Sequence, residues 1–220
     1  ARTVAPLALV AALGSAVGGA PARDVALLAL PGIVAVAAIF TAEEYVQPGV
    51  QGPVRAFIPP SIDPLSPKNA PMMESTWRGV LMPFGVDPDR PLITQVSRFD
   101  PWKDPLGVID AYRGVKEVHP DVQLALVGSM AHDDPEGWDF YNQTVGYADG
   151  DPDIFILSNL NNIGSVEVNA FQVHSAAVIQ KSIREGFGLT VTEGLWKGRP
   201  TVAGRVGGIV AQIEDGVTGW

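Results

Sequence analysis

The chain has 220 residues, enough for one large domain or two small ones. Its formal net charge of −9 argues against a general binder of nucleic acid or of membrane surfaces, because both partners require a basic patch. The absence of cysteine excludes disulfides, thiolate catalysis and cysteine-based zinc sites, and it is compatible with a reducing cytoplasm.

Residues 1–35 differ in composition from the rest of the chain. They are mainly Ala, Val, Leu, Gly and Pro, with charge only at Arg2, Arg23 and Asp24. Arg2 followed by an apolar run and a small-residue stretch can be interpreted as a secretory signal. Glycine and proline interrupt the run too early for a membrane span. We prefer the alternative of a damaged start to the chain and leave 1–35 unassigned.

Residues 36–71 predict two short strands and a loop. Apolar runs at 34–40 and 54–58 indicate strands, and Thr41 could cap a helical turn between them. The segment 61–71 is rich in Pro, Ser and Asp, which is typical of a loop. We interpret this loop as a connector between domains.

A regular alternation of strands and helices begins near Pro91. The predicted strands are 92–97, 122–128, 153–157, 176–180 and 201–204. The predicted helices are 106–118, 137–147, 166–173 and 189–197. This alternation predicts an α/β fold, with a Rossmann-like parallel sheet, right-handed crossovers and helices on both faces.

Four polar loops follow the carboxyl ends of predicted strands. They carry Arg98, His132, Asn159 and Glu185. Ligands of open parallel sheets bind at this edge. Four loops at one edge make a single site more probable than four unrelated loops, so we expect a common binding site there.

The segment 182–193 predicts the centre of that site. It follows a predicted strand, contains a glycine pair around Phe187 and leads into a predicted helix. Such a turn brings backbone N–H groups and a helix N-terminus to one point, which suits a phosphate. Glu185 on the turn and Glu193 in the helix could then accept hydrogen bonds from two groups of hydroxyls. The alternative is two solvated glutamates without a ligand.

No metal site is predicted. The three histidines are scattered, and adjacent Asp133 and Asp134 rarely converge on one ion. We expect one of these aspartates to cap the next helix instead.

The segment Glu185-Gly186-Phe187-Gly188-Leu189 with Glu193 resembles the E-x7-E signature of retaining family 4 glycosyltransferases of the GT-B fold. The segment 95–104, with Arg98 and Lys103, is similar to that family's strand-to-loop segment at the donor diphosphate. The stretches 58–66, 130–138 and 166–172 resemble its trehalose-synthesising members. The resemblance extends from about residue 36 to the end of the chain, and it implies the C-terminal half of a GT-B enzyme, truncated at both ends.

The resemblance also implies a division into domains and a role for each motif. Residues 36–71 would be a remnant of the N-terminal domain with the interdomain linker, and 72–220 an incomplete donor-binding domain. Arg98, Lys103 and Glu185 would serve catalysis. The donor would be bound by Arg98, Lys103, Asn159, Leu160, Glu185, Gly186, Phe187, Gly188, Leu189, Thr190 and Glu193.

Within this set the resemblance implies a part of the donor for each group. Glu185 with the backbone of Gly186 and Phe187 would bind the glucose hydroxyls, and backbone N–H groups near Leu189 and Thr190 would meet the phosphate. Glu193 would hold the ribose. The loop of Asn159 and Leu160 would lie by the base. The pair at 207–208 would form a close-approach turn near the site, although an ordinary turn is an equal alternative.

The implied reaction transfers glucose from ADP-glucose or UDP-glucose to glucose, forming trehalose with retention. We expect no cofactor and no metal, since Arg98, Lys103 and a helix N-terminus can hold the diphosphate. The implied partners are the nucleotide-sugar and glucose, with a homodimer of the intact enzyme left open and a cytoplasmic location. The 220 residues alone are expected to be inactive.

Several alternatives stay open. A trehalose phosphorylase shares the implied fold, and a non-catalytic nucleotide-binding fragment would carry the same motifs. Arg98 could form a surface ion pair with Asp100 or Asp104, and Lys103 could be solvated. A glycoside hydrolase pair is disfavoured, because nothing brings Glu185 and Glu193 to opposite sides of one bond.

Overall fold

The structure is a computed structural model that describes residues 38–40, 43, 46, 55–131 and 133–220. The unassigned segment 1–35, the capping residue Thr41 and His132 lie outside the described residues. The chain divides into two compact units between Pro60 and Ser61, and each is described by itself.

The first unit contains two short strands. Strand β1 (Ala38–Phe40) pairs in parallel with β2 (Arg55–Phe57), with Ala38 opposite Arg55. The Phe40 and Phe57 rings lie 6.3 Å apart between centroids. Each strand lies within the apolar run that predicted it, and residues 34–37 of the first run lie outside the described residues.

The second unit is a five-stranded parallel sheet in the order β5-β4-β3-β6-β7. Its strands are β3 (Leu92–Val96), β4 (Gln123–Val127), β5 (Ile154–Leu157), β6 (Ala177–Gln180) and β7 (Thr201–Ala203). Its helices are α1 (Glu74–Leu81), α2 (Pro105–Val118), α3 (Pro135–Tyr147), α4 (Ser165–His174) and α5 (Leu189–Trp196).

The predicted α/β fold is confirmed, with one helix missed. Strands β3 to β7 and helices α2 to α5 each lie within two residues of their predicted bounds. Asp134 caps α3 by accepting a hydrogen bond from the Gly137 N–H at 3.0 Å, as expected of one of the two aspartates. Helix α1 was not predicted, because Pro83 and Gly79 interrupt its pattern. Its signal was Trp77, Val80 and Leu81 at helical spacing.

The core lies on both faces of the sheet. Alternate residues of β4 explain this, since Ala125 and Val127 face one apolar cluster and Leu124 and Leu126 face the other. The first cluster packs on α1 and α4 and the second on α2. Within the part of the chain that the structure describes, no helix is long and apolar enough to cross a membrane.

The strand order places a topological switch point between β3 and β6. The chain runs from β3 outward through β4 to β5, then returns through α4 to β6 on the other side of β3. The loops that leave β3 and β6 therefore diverge at the carboxyl edge of the sheet. A crevice at this point is the usual ligand site of such sheets.

Truncation of Phe171 tests the first core cluster. Its side chain is fully buried, so Phe171→Ala is expected to lower the free energy of unfolding by about 3–5 kcal/mol, through lost burial and a cavity. Urea titration followed by circular dichroism measures the change. Val166→Ala on the exposed side of the same helix is the control and should cost less than about 0.5 kcal/mol. Equal costs for both variants would contradict the described packing.

Candidate functional site

Two loops meet at the switch point through an ion pair. Lys103 follows β3 and Glu185 follows β6, and the Lys103 Nζ lies 2.5 Å from the Glu185 Oε2. Both side chains are less than one-fifth exposed. The loops also join through the backbone, where the Ile183 N–H donates to the Trp102 carbonyl at 2.9 Å. The predicted cation and the predicted carboxylate are thus brought together.

A buried glutamine at the end of β3 holds both loops. The Gln95 side-chain amide donates to the Lys103 carbonyl at 3.0 Å, and its oxygen accepts from the Lys181 N–H at 3.0 Å. One side chain therefore fixes the start of the β6 loop relative to the β3 loop. Sequence reasoning did not select Gln95. The available signal was a polar residue inside an apolar strand at the switch point.

The Glu185 carboxylate is oriented by its own loop. Its Oε1 accepts from the Gly186 N–H at 3.0 Å, and its Oε2 accepts from the Ser182 hydroxyl at 3.2 Å. Ser182 in turn accepts from the Gln180 side-chain amide at 3.0 Å. These bonds hold the carboxylate beside Lys103, where it can accept from hydroxyl groups.

Helix α5 begins next to this carboxylate. Gly188 precedes it with a φ of +86°, and no side chain caps the helix. The Thr190 hydroxyl donates to the Gln180 oxygen at 3.1 Å, which ties the first turn to the end of β6. Leu189 and Thr190 thus place an N-terminus with the positive end of its dipole at the carboxyl edge of the sheet.

A second glycine loop packs directly on the first. A Cβ at Gly207 would lie 1.9 Å from the Glu185 carbonyl oxygen, and one at Gly208 would lie 2.7 Å from the Phe187 Cα. The Gly208 N–H donates to the Gly186 carbonyl at 2.9 Å. The close approach expected at 207–208 is confirmed. The backbone of the Glu185 loop lies directly against these two glycines.

Arg98 lies in the same loop as Lys103, but its side chain pairs with Asp100, whereas the Lys103 side chain pairs with Glu185. Its guanidinium contacts the Asp100 carboxylate at 3.1 Å, and its side chain is 59% exposed. The surface ion pair weighed above is therefore present in the free protein. Asp100 also accepts from the backbone N–H of Lys103 at 3.1 Å, so its carboxylate contacts the Arg98 side chain and the Lys103 backbone.

Glu193 faces helix α4 and the loop before α1. Its Oε1 lies 2.8 Å from the Lys68 Nζ, and its Oε2 accepts from the Gln172 amide at 3.1 Å. The Glu193 side chain is only 5% exposed. The structure does not bring Glu193 into contact with Lys103 or Arg98, which a donor spanning the site would have to bridge.

Lys197, one turn after Glu193, is half-buried. Its Nζ donates to the Asn69 Oδ1 at 2.9 Å. Burial lowers the pKa of Lys197 from 10.5 to about 8, the nearby Glu193 carboxylate opposes this, and Lys68 adds to it.

The Asn159 side chain forms two hydrogen bonds with the backbone of a neighbouring loop. Its Oδ1 accepts from the Met130 N–H at 2.7 Å and its Nδ2 donates to the Met130 carbonyl at 3.2 Å. Leu160 beside it is 46% exposed. Of this predicted base-binding loop, the Leu160 surface is open to a ligand, while Asn159 holds the loop in place.

The described residues contain no group of three His, Cys, Asp or Glu side chains that could hold a metal ion. Besides Lys103 and Arg98, the β6 loop carries Lys181, which forms an ion pair with Asp104 at the start of α2, and Arg184, whose guanidinium lies over the Trp102 ring.

A family model of glycosyl transferases group 1 matches residues 83–220. The chain belongs to the group 1 glycosyl transferases. The match contains β3 to β7 and with them both loops of the switch point.

Curated relatives of this group 1 glycosyl transferase chain act in trehalose metabolism by name. A trehalose synthase of Rubrobacter xylanophilus is 63% identical over 180 residues, which cover 82% of this chain and 43% of the relative. A trehalose phosphorylase of Pleurotus pulmonarius is 35% identical over 149 residues, or 60% of this chain and 20% of the relative. The chain therefore spans less than half the length of the curated relatives it matches.

Solved glycosyltransferases share the fold. The crystal structure of Anabaena HepE with UDP-glucose superposes with a TM-score of 0.62 at 21% identity, covering 78% of this chain and 44% of that one. At this identity the similarity shows the fold alone. It confirms the expected GT-B architecture of the five-stranded unit.

Adding a side chain at Gly207 tests the contact between the glycine loops. Gly207→Ala is expected to lower the free energy of unfolding by about 1–3 kcal/mol, because the new Cβ overlaps the Glu185 carbonyl. Thermal unfolding followed by circular dichroism measures it. Gly146→Ala in α3, where the Cβ enters open space, should be neutral or stabilising by up to about 1 kcal/mol. A neutral Gly207→Ala would show that the loops separate easily.

The lowered pKa of Lys197 predicts a pH dependence of stability. Between pH 8 and 10 the unfolded chain binds more protons than the folded one, so the free energy of unfolding contributed by Lys197 rises with pH. The wild-type chain should therefore gain stability relative to Lys197→Met over this range in urea titrations. Parallel curves for the two proteins would contradict the burial of the lysine.

Proposed function

We propose that this chain binds the nucleotide-sugar donor of a retaining glycosyltransferase that forms trehalose from a nucleotide-glucose and glucose. The observation that supports this most is the contact of Lys103 with Glu185 at the switch point, beside the uncapped start of α5. The donor would be ADP-glucose or UDP-glucose, residues 72–220 the donor-binding domain, and 36–71 a domain remnant with its linker. The location would be the cytoplasm.

The Lys103–Glu185 pair suits a donor because both partners have a role once they separate. The diphosphate attracts the Lys103 ammonium, and the glucose hydroxyls donate to the Glu185 carboxylate. Arg98 is exposed enough to exchange Asp100 for a phosphate oxygen. Two cations and a helix N-terminus would stabilise the charge that grows on the leaving diphosphate, so the proposal needs no metal.

Retention follows if the acceptor attacks the face that the diphosphate leaves. The bond between the glucose C1 and the diphosphate oxygen breaks, and the acceptor hydroxyl oxygen bonds to C1. The acceptor proton passes to the leaving phosphate. Glu185 is therefore a sugar-binding group and not a nucleophile. Its hydrogen bonds from Gly186 and Ser182 within its own loop hold it in place for that role.

A trehalose phosphorylase is the second candidate. The similarity to the Pleurotus relative favours it, because that protein is a trehalose phosphorylase by name. Such an enzyme would use the same cations for inorganic phosphate and would have no use for a ribose-binding carboxylate. The lower identity and coverage of this relative make it the second choice.

Nucleotide binding separates the two candidates. The 220-residue chain should bind UDP or ADP in calorimetry, and Glu193→Ala should weaken that binding about tenfold or more, because a charged acceptor of hydrogen bonds is lost. Glu117→Ala, at an exposed glutamate of α2, is the matched control and should bind as the wild type does.

Three results would count against the proposal. Binding of inorganic phosphate without binding of either nucleotide would favour the phosphorylase. An equal affinity of Glu193→Ala and the wild type would remove the role of Glu193. No nucleotide-dependent heat or thermal shift at all would leave a chain without a donor site.

A further inference from the structure

The loop before α1 supplies a cation, Lys68, that contacts Glu193 directly. The Lys68 side chain, 32% exposed, crosses from the loop to the Glu193 carboxylate, which is 5% exposed. Lys68 contacts one carboxylate oxygen at 2.8 Å, and Gln172 of α4 donates to the other at 3.1 Å. The carboxylate is thus held from two sides by groups far apart in the sequence.

The loop that carries Lys68 is itself anchored on both sides of that residue. The Asn169 amide of α4 donates to the Pro67 carbonyl at 3.0 Å and to the Ala70 carbonyl at 2.8 Å. The Trp196 indole of α5 donates to the Asn69 carbonyl at 3.1 Å. Because three hydrogen bonds fix the backbone around Lys68, the packing of the loop on α4 and α5 determines where its ammonium lies.

This arrangement leaves the carboxylate free to accept two more hydrogen bonds. Each carboxylate oxygen has two lone-pair sites. Lys68 uses one site on the first oxygen of Glu193 and Gln172 uses one on the second, so one site remains on each. The vicinal hydroxyls of a ribose present two O–H donors at the spacing of two carboxylate oxygens. A buried carboxylate also requires a partner of opposite charge to stay favourable.

We propose that Lys68 is a positioning residue for the carboxylate of Glu193, through which the loop before α1 sets the affinity for the ribose of the nucleotide. This rests on the proposed function, in which Glu193 binds that ribose. Lys68 itself touches no ligand. Because the coupling is reciprocal, a change in the loop alters nucleotide affinity, and bound nucleotide fixes the loop.

The test compares three variants. Lys68→Met removes the charge and keeps the length of the side chain, and Lys68→Arg restores the charge. Trp196→Phe removes a different anchor of the same loop without touching Glu193. Each is titrated by calorimetry with UDP and ADP and with their 2′,3′-dideoxy forms, and its melting temperature is recorded.

The expected pattern is specific to the ribose. Lys68→Met should bind the ribonucleotide about tenfold more weakly and the dideoxy form as the wild type does. Lys68→Arg should recover most of the loss, and Trp196→Phe should leave both affinities unchanged although its melting temperature falls. A merely structural role of Lys68 would lower the melting temperature and change both affinities equally.

Each contrary result has a distinct meaning. If the wild type binds UDP or ADP and Lys68→Met binds it equally well, the positioning role is wrong and the proposed function stands. If Trp196→Phe reproduces the loss, the loop acts through its general stability and the role of Lys68 is wrong. If the wild type binds neither nucleotide, the proposed function fails and this inference fails with it.

Discussion

The site depends on the contact between the loops that leave β3 and β6. These strands are parallel neighbours, but the loop after β3 leads to β4 on one side of the switch point and the loop after β6 leads to β7 on the other. Strand pairing alone would therefore let the two loops separate. The Lys103–Glu185 ion pair and the two hydrogen bonds of Gln95 hold them together instead. Lys103 and Glu185 have other hydrogen-bond contacts, but among the residues that the structure describes only this pair joins a predicted cation to a predicted carboxylate.

The ion pair is partly buried, which bears on the donor-binding role proposed for it. Because a partly buried ion pair loses much of its hydration, either charge at this place would be unfavourable without a partner of opposite charge. In the proposed function, a donor that brings phosphate to Lys103 and hydroxyls to Glu185 would replace both contacts at once. The two loops of the free protein are thus held together by the same groups that the proposed donor would use.

The sequence predicted the fold well because the local signals agreed. Alternating apolar runs, the expected cap at Asp133 or Asp134 and the glycine-containing turn before α5 all indicated the same βαβ order. Helix α1 was missed because its glycine and the following proline conceal its spacing. The sequence also predicted that the loops after the strands meet at one edge of the sheet, because the carboxyl ends of parallel strands lie together, but it did not predict the ion pair of Lys103 with Glu185.

The rest of the site could not be predicted from one sequence. The positions of Arg98 and Glu193 depend on side-chain choices among several partners, and Lys68 lies 125 residues before the carboxylate it contacts, on a loop with no regular pattern. Asn159 illustrates the same point, because its amide matches the Met130 backbone as well as it would match a base. Long-range polar contacts are set by packing, which spacing along the chain does not encode.

The contact between the two glycine loops limits how this site can diverge. At Gly204 and Gly207 a Cβ would overlap backbone oxygens of Ser182 and Glu185, so neither position can accept any other residue without moving the carboxylate. Under the proposed function, new donor preferences would therefore arise at positions that face outward, such as Leu160. Among descendants of this chain, the scaffold around Glu185 should stay fixed while the exposed rim changes.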